Sequence, residues 1–174
     1  VSVFKKPVAL MLMSYLGTLK AWLYAPVFAF AQPSVYSLRA PVLLLGALTI
    51  LLFFQLLKRI LGPGAAAAGA ALLATDSTYL LTTVFDWGPV VLQHLLGLGG
   101  VLALVWFHRT GRRRYLGLGF FLFGLALWDK ALFGWSLAGL GVALLCVHPR
   151  ALLRVVSASN VAVAAVFFTV GAFP

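Results

Sequence analysis

The sequence predicts an all-α, polytopic transmembrane protein, and three observations carry that prediction. Of the 174 residues, 63% are hydrophobic and only 9% are charged, whereas soluble domains run about 45–50% apolar and about 25% charged. The three acidic residues, Asp76, Asp86 and Asp129, lie inside or between long apolar segments rather than on a solvated face. Most of the basic residues gather in short clusters that flank those segments, at Lys58-Arg59, Arg109 to Arg114 and Arg150 to Arg154, which is the positive-inside pattern. That segregation also argues against nucleic acid as the partner of a chain with net charge +10.

The elements follow in order. A crossing needs roughly 20 apolar residues. Residues 7–31 satisfy hydropathy, but Pro26 breaks a helix and Lys20 at mid-membrane is costly. Aromatic residues interleaved with lysine suit a helix lying on the outer surface. Residues 1–39 are therefore expected to form an outer-face loop with interfacial helices, a crossing being the competing reading, and residues 40–173 the transmembrane helices of the same single domain. Residues 40–57, 65–83, 89–108 and 155–173 each fit one crossing, with Asp76 inside the second. The stretch 115–147 is either two tight spans or one tilted rod. Placing Lys58-Arg59 in the cytoplasm brings Arg109 to Arg114 to the same side. Two spans, near 115–130 and 131–147, then return Arg150 and Arg154 there as well, whereas one span strands them outside. The expectation is about six spans plus interfacial helices, with Asp86, Asp129 and Lys130 on the outer face. The small-residue run 65–71 and the glycines of 97–100 and 117–124 predict close helix packing.

Cys146 stands alone in an apolar run and reads as packing. The chain opens without an initiator Met or a signal-peptide pattern and ends without a polar tail, so it is expected to be an internal piece of a longer protein. No Walker loop, HExxH or nucleotide-binding glycine pattern is present.

A carboxylate at membrane depth is a functional candidate by default. Asp86 precedes Trp87-Gly88-Pro89, which places it in an outer-rim loop. A turn carboxylate and a general base, metal ligand or substrate anchor are evenly matched there. Lys130, beside Asp129, is a compact point charge suited to an anion at the outer surface, and Asp129 suits an orienting or structural role. Lys20 among Tyr15, Trp22 and Tyr24, and Arg39 before Pro41, form a basic outer rim suited to a lipid phosphate; interfacial anchoring is the simpler account of either alone. Asp76 is the natural cap of a helix restarting after a break, with an orienting role as the alternative. His94 reads as a polar packing residue. A divalent metal on Asp86 has one carboxylate in its favour, and no cofactor is otherwise indicated.

The strings Tyr15-Leu-Gly-Thr-Leu-Lys-Ala-Trp-Leu-Tyr-Ala-Pro26, Ser37-Leu-Arg-Ala-Pro41, Ala74-Thr-Asp76, Phe85-Asp-Trp-Gly-Pro89 and Leu127-Trp-Asp-Lys130 together resemble the membrane half of the GT-C glycosyltransferases. The resemblance is to the protein-mannosyltransferase-like and RgtA/B/C/D-like branch, related to the lipid A aminoarabinose transferases, and covers most of residues 10–147. It implies transfer of a sugar from a polyprenyl-phosphate-linked donor to a glycan, lipid or protein acceptor outside the cytoplasm, in the bacterial inner membrane. Carried over residue by residue, Asp86 matches the second acidic position of the family. Lys20 and Lys130 match its phosphate-facing lysines, and Arg39 the arginine opening its second span. The family's first span and first acidic residue would lie before Val1, and the soluble C-terminal domain of many members is not in this sequence. A transporter or flippase of lipid-linked or anionic substrates would use the same rim for binding alone, and a non-catalytic scaffold would need none of it.

Overall fold

The computed structural model describes residues 2–3, 6–7, 11–85 and 88–173, and over them the fold is all-α. Two short antiparallel hairpins precede the helices: β1 (Ser2–Val3) with β2 (Lys6–Pro7), and β3 (Met11–Met13) with β4 (Leu16–Gly17). The reading of 7–31 as helical thus holds only from Leu19 onward. The strand forms because it has a tertiary partner. Leu16 bridges Lys130, and the Ala131 N–H donates to the Tyr15 carbonyl at 3.0 Å.

Helix α1 (Leu19–Phe30) contains Pro26, which the sequence reading counted against a helix. The missing N–H leaves one carbonyl unpaired four residues back, on the exposed Trp22, where the loss is small. At 12 residues, α1 is about 18 Å long and too short to cross ~30 Å of hydrocarbon.

Helix α2 (Val35–Ile60) begins five residues before the predicted span. Ser34 and Ser37 form a reciprocal capping box, and Lys58 and Arg59 complement the helix dipole in the last turn. Gly62, at φ +92°, turns the chain into α3 (Pro63–Thr75), with proline at the first helical position. The predicted span 65–83 is in fact two helices, since α4 (Ser77–Val84) restarts at Asp76, whose carboxylate accepts from the Tyr79 N–H at 2.7 Å. Helix α5 (Val90–Thr110) ends on Gly111 at φ +66°. The stretch 115–147 is two helices, α6 (Arg113–Asp129) and α7 (Phe133–Val147), rather than one rod. The short α8 (Pro149–Val155) and α9 (Ala158–Ala172) complete the chain. Two of these helices, α2 and α5, are long and apolar enough to cross a membrane, with mean hydropathies of 2.3 and 2.0; α1, α3, α7 and α9 are shorter apolar helices.

Small residues set the packing, as the sequence predicted. A Cβ on Gly100 would collide with the Phe123 ring and stand 3.1 Å from the Gly119 carbonyl, so α5 and α6 approach backbone to backbone. Gly124 and Gly171 do the same for α6 and α9, each occupying the space a Cβ of the other would fill. Neighbouring contacts give the directions. Val42 packs with Val91, and Arg59 stacks on Trp106, so α2 and α5 run parallel. Gly119 meets Leu104, and Trp106 stacks on Tyr115, so α6 runs back against α5. The core lies between them, around Leu92, Leu96, Phe123, Ala126 and Phe133. Helix α7 leaves most of its surface exposed, with Trp135 at 79% and Val147 at 67%, and Cys146 is exposed on it.

Candidate functional site

The strand-to-helix turn at residues 16–20 docks on the C-terminal end of α6, and this contact builds the site. Gly17 is required there because a Cβ would collide with the Trp128 carbonyl. Trp22 then meets Trp128 edge-on, with centroids 5.1 Å apart. The result places the first turn of α1 over Asp129.

Asp129 is fully buried. Neither of its oxygens has a hydrogen-bond partner of full geometry, but the Lys20 amide N–H and the charges of Lys20 and Lys130 all act on it. The Lys20 amide N–H approaches it as a donor, at looser geometry than a full hydrogen bond. Its position explains it: the N-cap of α1, Thr18, supplies no side-chain cap, and a carboxylate at a helix N-terminus is stabilised by the unpaired amides and the helix dipole. Asp129 is thus a buried carboxyl group presented to α1 by α6, with two lysines acting on it.

Lys20 reaches onward from this anchor. Its Nζ donates to the Gly88 carbonyl at 3.1 Å and stands 5.7 Å from the centre of the Tyr24 ring. Tyr24, buried, donates its hydroxyl to the Leu38 carbonyl at 2.8 Å, tying α1 to the start of α2 next to Arg39. Arg39 itself is exposed, with no hydrogen bond or ion pair among the described residues. Lys130 is half-buried in its bridge to Leu16, and its charge also bears on His94 of α5. Lys20, Asp129 and Lys130 are therefore brought together, and Gly88 joins them. Asp86, predicted as the catalytic carboxylate, lies outside the described residues, as does Trp87. Asp76 is separate from this cluster and is occupied as the cap of α4.

A second feature was not anticipated. An open cleft of about 350 Å³ runs between α2, α4, α5 and α7, with Thr49, Tyr79, Gln93, His94 and Ser136 as its polar lining and Phe133 among its apolar walls. His94 stacks on Tyr79 at 6.3 Å, and Tyr79 donates to the Gly46 carbonyl at 2.7 Å. Gly46 faces the Thr83 methyl, which would stand 2.7 Å from a Cβ there, so its lack of a side chain lets α4 pack close against α2. The polar residues come from separate helices, so no local spacing announces them. No group of three His, Cys, Asp or Glu side chains that could hold a metal converges among the described residues, which leaves Asp86 out.

No family model, curated protein or solved structure matches the chain.

Proposed function

We propose that this chain is the membrane core of a glycosyltransferase that takes a sugar from a polyprenyl-phosphate-linked donor and passes it to an acceptor on the non-cytoplasmic side of a bacterial inner membrane. The observation that carries the reading is the joining of Lys20 and Lys130 around buried Asp129, with Lys20 bonded to Gly88, two residues after Asp86 in the chain. A lipid-phosphate leaving group gains negative charge as the glycosidic bond breaks, and fixed cations at that point lower the barrier. In this reading Lys20 and Lys130 face the phosphate, Arg39 supports them at the rim, and Asp86 accepts the acceptor hydroxyl's proton.

The reading needs about six crossings, by α2, the α3–α4 pair, α5, α6, α7 and α9. The directions of α2, α5 and α6 fit that count, as do the apolar side chains exposed along α7 and α9. Helices α6, α7 and α9, of 17, 15 and 15 residues, rise about 23–26 Å, so the bilayer thins slightly around them. Helix α1 then lies in the outer interface.

Membranes carrying the protein, supplied with a polyprenyl-phosphate sugar, are the test. Asp86→Asn and Lys130→Ala are each expected to lower transfer by about 100-fold, in line with the loss of a positioned acid–base group or charge stabiliser, at unchanged expression. Wild-type rates in both variants would remove the site assignment.

The break at Asp76 beside the cleft favours a second reading, a transporter or flippase of lipid-linked or anionic substrates, because broken helices line substrate paths in such proteins. Movement of substrate across proteoliposomes without sugar transfer would select it.

A further inference from the structure

We propose that the end of the bundle opposite Lys20 and Lys130 is a binding surface for the phosphodiester headgroups of anionic lipids. Six cations meet there: Lys58 and Arg59 close α2, Arg109 ends α5, and Arg112, Arg113 and Arg114 open α6. They meet because α2 and α5 are parallel and α6 returns beside them. The Arg109 guanidinium donates to the Arg59 carbonyl, which fastens two of these helix ends together.

The cations are held in an ordered layer. The Arg59 guanidinium lies 4.6 Å from the centre of the Trp106 ring. Trp106 stacks on Tyr115 at 5.9 Å and 23°. The Arg114 guanidinium lies 4.8 Å from the Tyr115 ring centre and donates to its hydroxyl at 3.1 Å. Arg59, Trp106, Tyr115 and Arg114 thus form one continuous stack with a guanidinium at each end. Arg59 commits its Nη1 to Gln55 and Arg114 its Nη2 to Tyr115, and the remaining N–H donors on the guanidinium edges are of the kind that take a phosphate.

Nothing in the described chain neutralises this charge. Asp76 caps α4, and Asp129 stands at the far end of α6. Arg112 to Arg114 repel one another and stand at the helix end where the dipole disfavours cations, so their accumulation calls for an external anion. The surroundings identify its source as a lipid. The layer sits at the ends of the two helices of membrane-crossing length, and Ile60, Leu61 and Leu118 beside it are 59%, 64% and 46% exposed. A headgroup on the arginines would lay its acyl chains over these side chains, with Trp106 and Tyr115 at the interfacial level that aromatic residues prefer.

The proposal rests on the membrane reading and is independent of sugar transfer. The full chain would be reconstituted in phosphatidylcholine vesicles carrying spin-labelled phosphatidylglycerol or spin-labelled phosphatidylcholine, and flotation measured alongside the immobilised lipid fraction. Preferential immobilisation of phosphatidylglycerol is expected. It should fall about fivefold for each cation removed in Arg59→Gln and Arg114→Gln, the factor one basic residue contributes at such a surface. Arg59→Lys with Arg114→Lys, which keeps the charge, should fall between wild type and the double glutamine variant. Equal immobilisation of the two lipids in protein that floats would overturn the proposal alone. Displacement of the labelled phosphatidylglycerol by inorganic phosphate at constant ionic strength would overturn the lipid source in favour of free phosphate. Protein that does not float would overturn the membrane reading as well.

Discussion

At Gly17 the strand β4 passes so close to α6 that the Trp128 carbonyl occupies the place of a Cβ. Gly17→Ala must push the strand off Trp128, and overpacking of this kind costs about 1–3 kcal/mol. Thermal unfolding in detergent should show a lower midpoint for Gly17→Ala, and an unchanged one would mean that the strand is not docked there. Asp129 poses a different problem, because its cost is electrostatic. With the side chain gone, the first turn of α1 loses the carboxyl group beside it and the two lysines lose the acidic partner they share. We expect Asp129→Ala to destabilise the fold by about 1–3 kcal/mol, the range for stripping a buried polar partner. Asp129→Asn, which keeps the shape and removes the charge, should cost nearly as much; a much smaller loss would assign the role to packing. The adjacency of Asp129 and Lys130 was visible in the sequence, as was the aromatic setting of Lys20. That the two lysines share one carboxylate was not, because the contact depends on a strand whose partner lies more than a hundred residues away.

Helix α4 depends on a single carboxylate. Asp76 accepts from the Tyr79 amide, and it stands where α3 has ended and α4 begins. Asp76→Ala should destabilise by about 1 kcal/mol, whereas Asp76→Ser or Asp76→Asn should be nearly neutral, as capping residues exchange among themselves. Amide exchange of residues 78–80 is the direct readout. Faster exchange confined to α4 in Asp76→Ala is expected, and unchanged exchange would deny the cap its role. This break was legible in the sequence because an N-cap is a local signal. The start of α2 was less so: the apolar run put the span at 40–57, but the capping box of Ser34 and Ser37 opens the helix earlier. A proline tolerated within a helix is decided by what its lost hydrogen bond leaves exposed, and local sequence does not carry that information. The glycine seams were legible as a type and not as pairs. Nothing in 117–124 says that Gly124 meets Gly171 rather than another helix.

At the scale of the molecule, charge and packing give the same polarity. The helix directions bring Lys58, Arg59 and Arg109 to one end, and the docking of residues 16–20 brings Lys20 to Asp129 and Lys130 at the other. In the proposed topology the positive-inside bias, read from the sequence, puts the first end in the cytoplasm. Neither argument uses the other: one is a count of loop charges, the other a set of interhelical contacts. Packing separates the two groups of cations to opposite ends, and the charge bias alone proposes which end faces the cytoplasm. A reporter fused after Arg114 should be active only as a cytoplasmic fusion, and one inserted at Trp87 only as an external one. If both report the cytoplasm, the α5 crossing fails. If the two are exchanged, the lysines around Asp129 face the cytoplasm, and a donor presented on the outer leaflet cannot be their substrate. The assay therefore tests the orientation on which the transferase reading depends before any sugar is supplied.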